Sequence, residues 1–444
     1  MPAVILAALL VAAPADAATP RQATGASSYT SLPADVRVTR DRQVVLQRTF
    51  NLQRGQQVLI TAEGRLFPSG GRTTAGLRLL VDNVARGSES FIDWTTASTT
   101  DPAQHAFSCL ASLYLDAGRH TVKLISRRGA RDFSVGGRSN LSILVSPARR
   151  VFRNGGGQFT GIDVATDNLT DLRDLPTRTI ASVRASAGGN EIIVLAAGRS
   201  RNQNYAGPYG DAKWGIGLNG NLQGRDTTQM SVQDLFIGAE QEAPMMAQAR
   251  FPASMIAGNP QVQLLATEFP WAVQPQPPQD LVYRSRWPQL VALTGPFGVS
   301  GHVSTTRDGR RWDHTDYLNI GGNVAGSPPL NRWFRVARGT IRVPEGHNGI
   351  VYISGRVRFQ GDRADAGGNG FLSLRLDGGW VGSVGVQQLR DGRAISQRTC
   401  CTSYLAAGNQ KLAPGDHTIE LMAKAAGDFK HLSVHRECNL LWFD

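Results

Sequence analysis

Apolar and polar residues alternate along this chain in short runs, and one such run occurs three times. Leu77-Arg78-Leu79-Leu80-Val81 leads into Asp82-Asn83 and then Gly87. Trp214-Gly215-Ile216-Gly217-Leu218 leads into Asn219-Gly220 and Gly224, and Leu372-Ser373-Leu374-Arg375-Leu376 leads into Asp377-Gly378 and Gly382. A period of two buries one face of a strand and wets the other. The dipeptide that ends each run tolerates positive φ, as a two-residue hairpin turn requires.

Matching elements flank each copy. Upstream lie Arg48-Thr49-Phe50-Asn51-Leu52, a Gly55 turn, Val58-Leu59-Ile60 and Gly64-Arg65. The second copy has Arg178-Thr179-Ile180, a Gly188-Gly189 turn, Ile192-Ile193-Val194 and Gly198-Arg199. The third has Gly339-Thr340-Ile341-Arg342-Val343, a Gly346 turn, Ile350-Val351-Tyr352-Ile353 and Gly355-Arg356. Downstream, Gly118-Arg119-His120-Thr121 opens a strand matched by Gly415-Asp416-His417-Thr418. The second copy has decayed there to Gly258-Asn259-Pro260-Gln261. The pattern predicts an all-β protein of three tandem antiparallel β-sandwich domains over 30–147, 160–273 and 331–444. Glycine and proline clusters at 155–157 and 274–278 separate them, and 281–330 reads as an insertion carrying extra strands or a long loop. Helical periodicity is weak everywhere; its best case is Val232 to Met246.

A length of 444 residues agrees with several domains. Val4 to Ala13 is apolar, and Ala15-Asp16-Ala17 offers a small-residue cleavage site, although no basic segment precedes it. Residues 1–17 are therefore read as a signal peptide and the chain as secreted or cell-surface. The net charge is +12, but only five of the 47 basic residues are lysine, and the arginines scatter over all modules. Dedicated nucleic-acid binding is not expected, since it calls for clustered basic runs. An anionic polysaccharide remains a candidate partner.

Catalytic signatures of the nucleophile-elbow, zinc-protease or phosphate-loop kinds are missing, so the chain is read as non-catalytic and without a cofactor. Ca2+ is the one candidate ion, on Asp308, Asp313 and Asp316 near His302 and His314. His431 and His435 would lie about 13 Å apart on a strand, too far for one metal. The recurrent His120 and His417 are read as turn-binding side chains. Arg65, Arg199 and Arg356 recur after glycine; they either pair with carboxylates at strand ends or line a ligand groove. Trp94, Trp312 and Trp380 sit in polar or glycine-rich surroundings and are candidates for stacking on sugars, whereas Trp214 and Trp442 belong to core strands. Of the four cysteines, Cys438 could bridge to one of the adjacent pair Cys400 and Cys401, and Cys400–Cys438 is the candidate disulfide.

The late element over 108–146 and 404–443 resembles jelly-roll sandwich modules of bacterial surface proteins and phage fibres, including trimeric tumour-necrosis-factor-like folds. The resemblance implies a β-sandwich and assembly into a trimer or filament. The functional expectation is a bacterial structural or adhesive protein acting by self-assembly or surface interaction. Extracellular carbohydrate binding is the alternative. A polysaccharide-active enzyme is the third reading, and it would require paired carboxylates about 5–10 Å apart.

Overall fold

The recurrent dipeptides do what their chemistry requires. Asp82 and Asn83, Asn219 and Gly220, and Asp377 and Gly378 all have positive φ, between 48° and 83°. That is the left-handed pair of a type I′ hairpin. Gly87 and Gly382 follow at φ 74° and 71°, where the ladders shift register. A Cβ on Gly87 would lie 2.2 Å from the Leu110 carbonyl oxygen, so only glycine fits.

A computed structural model describes residues 27–68, 74–93, 104–129, 131–145, 159–163, 178–185, 188–202, 210–222, 241–270, 283–304, 317–320, 329–361, 368–389, 397–427, 432–435 and 439–444. Among them are twenty-eight strands and no helix longer than a single 3-10 turn. Module 1 contains β1 (Ser28–Ser31), β2 (Val36–Val38), β3 (Val44–Leu52), β4 (Gln56–Pro68), β5 (Thr74–Val81), β6 (Val84–Asp93), β7 (His105–Leu115), β8 (Gly118–Arg128), β9 (Phe133–Val135) and β10 (Asn140–Val145). Module 2 contains β11 (Phe159–Asp163), β12 (Arg178–Arg184), β13 (Ile192–Asn202), β14 (Gly210–Leu218), β15 (Asn221–Leu222), β16 (Gln241–Phe251), β17 (Gln261–Pro270) and β18 (Tyr283–Thr294). Module 3 contains β19 (Ser300–Ser304), β20 (Tyr317–Ile320), β21 (Phe334–Val343), β22 (Val351–Gly361), β23 (Gly368–Leu376), β24 (Gly379–Leu389), β25 (Gln397–Ala406), β26 (Gly415–Gly427), β27 (Leu432–His435) and β28 (Asn439–Phe443).

Every module pairs its strands in the same way. One sheet runs β1-β10-β4-β7, β11-β18-β13-β16 or β19-β28-β22-β25. The other runs β3-β8-β5-β6, β12-β17-β14-β15 or β21-β26-β23-β24. This is the strand order of a jelly roll. It redraws the expected boundaries. Tyr283–Thr294 pairs with β11 and β13 and so closes module 2. Ser300–Ser304 and Tyr317–Ile320 open module 3. The described strands of 281–330 therefore belong to modules 2 and 3, the first of them hidden in sequence by the proline-rich run before it. The weak helical candidate Val232 to Met246 overlaps a strand in its described part. Gln241–Phe251 is a strand paired along its length with β13, because long-range pairing overrides a weak helical period.

The first-named sheets of the three modules face one another. Leu59, Leu110 and Leu144 from module 1 pack with Ile193, Leu195, Val291 and Leu293 from module 2. Tyr352, Leu405, Leu441 and Phe443 from module 3 complete this cluster, which is separate from the core of module 1. Sandwich thus packs on sandwich between the modules of one chain.

Further along the same faces the contact becomes polar. The Arg356 guanidinium lies 3.4 Å from Glu63 of module 1. Its Nε donates to the side-chain carbonyl of Gln248 in module 2 at 3.0 Å, as does the Ser354 hydroxyl at 2.7 Å. Ser108 donates to Glu63 at 3.2 Å. One buried network therefore holds all three modules. Arg138 adds a second tie, donating to the Val381 and Gly382 carbonyls at 2.9 and 3.2 Å. Asn140 donates to the Ser403 carbonyl at 2.8 Å.

Candidate functional site

The glycine-linked arginines divide between structural roles. Arg356 and Arg199 are 2% and 8% exposed, which corrects the expectation of a ligand groove: both lie between modules. Arg199 lies 5.0 Å over the Phe91 ring and 4.0 Å from Glu89, both in module 1. Arg65 stays within its own module, 3.6 Å from Asp35. Burial raises the Glu63 carboxyl pKa, and Arg356, Ser403 and Ser108 pull it back in part. The partners Glu63 and Gln248 carry no recurrent motif, so a search for repeated residues passes over them.

The recurrent histidines are turn clamps. His120 Nδ1 meets Asp82 at 2.7 Å, and its Nε2 meets the Asp116 carbonyl at 2.9 Å. His417 makes the same pair of contacts with Asp377 and the Ala413 carbonyl at 2.7 and 2.8 Å. Both ring nitrogens thus face acceptors, which suits the doubly protonated imidazolium. Burial lowers each histidine's pKa, but the aspartate and carbonyl outweigh it and the net shift is upward. In module 2 Asn219 keeps the backbone anchor, accepting from the Gln261 N–H at 2.8 Å, while Pro260 stands where the histidine would be.

An exposed tryptophan stands among charged side chains on the outward face of module 3's β21-β26-β23-β24 sheet. Leu372 and Leu374 point into the core, so Phe371, Ser373 and Arg375 point away from it. Arg338, Glu420, Arg375 and Trp380 stand directly opposite one another in register, forming one row across the four strands. Trp380 is 45% exposed. Trp333, just before β21, brings its ring centroid to 5.0 Å from that of Trp380, with 54° between the planes. Arg375 lies 5.5 Å from the Trp380 centroid, and Lys424 lies 5.4 Å from Trp333 and 4.8 Å from Phe371. Glu420 accepts from Arg335 at 3.2 Å and lies 3.7 Å from Arg375. Arg375 is steadied by two bonds to the Gly378 carbonyl, at 3.1 and 2.8 Å. The result is a tryptophan pair in a frame of positioned charges.

Of the expected stacking residues, Trp380 lies in this platform, while Trp94 and Trp312 lie outside the described residues, as do Asp308, Asp313 and Asp316. Among the described residues no group of three or more metal-binding side chains occurs. Trp333 was missed because it lies before its strand; only its proximity to Trp380 in space reveals it. Trp214 and Trp442 are core residues, 0% and 5% exposed. Cys400 and Cys401 are buried free thiols, like Cys109, and Cys438 lies outside the described residues. The bridge expected from Cys438 therefore also lies outside them, and what is described is Cys400. That side chain packs where a Cβ on Gly385 would come within 2.4 Å of its sulfur. Burial raises the pKa of all three thiols, that of Cys109 to about 12.

No protein-family model matches the chain, and no curated protein matches it. Three solved structures illustrate the similarity that exists. The C-terminal domain of EclA, a sugar-binding protein, is 13% identical over 25% of this chain and 76% of its own, with a TM-score of 0.18. The N-terminal CBM22-1-CBM22-2 tandem domain of Paenibacillus barcinonensis Xyn10C is 10% identical over 62% and 93%, with a TM-score of 0.18. The structure of infectious bursal disease virus, Gx strain, is 9% identical over 92% and 81%, with a TM-score of 0.22. At these scores the likeness carries no argument about this chain.

Proposed function

We propose that this chain is a secreted or cell-surface adhesive protein that binds carbohydrate through the module 3 platform, without catalysis. The exposed Trp380 beside Trp333 carries this reading. An indole left 45% in water on a rigid strand is an anchor already in place, so little conformational entropy is lost when a ring stacks on it. The surrounding guanidinium and ammonium groups are donors for sugar hydroxyls. Glu420, the carboxylate of this platform, is held by Arg335 and Arg375, an arrangement suited to binding rather than proton transfer.

Native electrophoresis of the full chain through gels containing neutral or acidic soluble polysaccharides tests the proposal. At least one polymer should retard the protein. Trp380→Ala should weaken that binding by about 2 kcal/mol, roughly thirtyfold, as for an interface tryptophan anchor. Equal mobility in every polymer, or undiminished retardation of Trp380→Ala, would refute it.

A further inference from the structure

We infer that the glycan recognised by this platform is acidic, carrying carboxylate or sulfate groups along its chain; the inference rests on the carbohydrate-binding reading above. The charges around the tryptophans do not balance. Arg335, Arg338, Arg375 and Lys424 surround the site, and Glu420 is the carboxylate among them. Arg338 and Arg375 flank Glu420 directly on either side in register. Neighbouring strands are about 4.8 Å apart, so the row from Arg338 to Trp380 spans about 14 Å. A cation thus stands at one end of the row and an aromatic ring at the other, with the second arginine between them.

The positions of these cations matter as much as their sign. Arg375 is tied to the Gly378 carbonyl, and Lys424 is held between the Trp333 and Phe371 rings. Side chains already ordered lose little freedom on binding, which favours their use as recognition groups over scattered surface arginines. A fork of guanidinium donors matches both carboxylate and sulfate oxygens.

The test is titration of the full chain with dextran, dextran sulfate and polygalacturonate. Arg338→Gln/Lys424→Gln is compared with Arg40→Gln/Arg42→Gln, which removes the same charge from an exposed turn of module 1. At least one acidic polymer should bind more tightly than dextran, and which one does so separates sulfate from carboxylate recognition. Arg338→Gln/Lys424→Gln should lower acidic affinity about tenfold, the effect of two exposed ion pairs of ordinary strength. Arg40→Gln/Arg42→Gln should change it less than about twofold, since these exposed residues belong to a turn of module 1 and not to the row of platform residues. Dextran binding as tight as acidic binding would overturn the inference and leave the carbohydrate reading standing. Equal losses in the two double variants would also overturn it, by reducing the effect to bulk charge. Binding to none of the polymers would overturn both.

Discussion

Replacing Arg356 by methionine tests whether the polar network joining the three modules sets their stability. The Arg356 and Glu63 side chains are 3% and 1% exposed. The substitution strands the Glu63 carboxyl and leaves the Gln248 carbonyl oxygen without its Arg356 donor. Removing one partner of a buried pair costs about 3–5 kcal/mol, a large share of a typical stability of about 5–15 kcal/mol. Replacing both charged partners is far milder, so Arg356→Met/Glu63→Leu should recover about 2 kcal/mol or more of the loss. Urea denaturation followed by tryptophan fluorescence gives the three values. The pH dependence supplies an independent check. Burial already raises the Glu63 pKa, and the variant removes the Arg356 charge that opposes this. A carboxyl with a raised folded pKa destabilises the fold when ionised. The loss in Arg356→Met should therefore shrink as pH falls through the folded pKa toward the unfolded value of about 4.3. A single-variant loss below about 1 kcal/mol, or single and double variants of equal stability, would refute the reasoning.

Two further predictions concern the turns. Protonated His120 and His417 stabilise the fold; with folded pKa values raised, this contribution is complete below about pH 6.5 and is lost as pH rises through those values. Melting temperatures measured across that range should fall, and His120→Gln/His417→Gln should flatten the slope; an unchanged slope would count against the clamp. Gly258→Ala should cost about 1–2 kcal/mol from positive φ alone, since nothing lies within 4 Å of its added Cβ. Gly87→Ala should cost about 1–3 kcal/mol more by overpacking against Leu110, and equal chemical-denaturation losses at the two glycines would disprove that contact.

The fold was legible because its determinants are local. Alternation and the Asp-Asn, Asn-Gly and Asp-Gly dipeptides specify strand and turn within a few residues, and those residues recur. The end of module 2 was obscured because the Tyr283–Thr294 strand follows a proline-rich stretch, and its membership rests on pairing with Ile192–Asn202, far away in sequence. The arginines after glycine were visible as a repeat, yet their use was not. Arg356 reaches Glu63 across 293 positions, and no local rule reports such a contact. Trp380 was picked out by its polar setting, while Trp333 was lost because stacking between two tryptophans is a property of tertiary placement.

The layer that holds Glu63 has a further consequence. Counting back one residue from each repeated glycine gives Glu63, Ala197 and Ser354. In an assembly of three identical chains, a glutamate at that position would appear three times around one axis, and three buried carboxylates would repel one another. Joining the copies in one polypeptide releases them from that symmetry. One copy can contribute the acid and another the arginine, with the third left neutral; in the same way, a binding face can evolve on a single module without being repeated on its siblings.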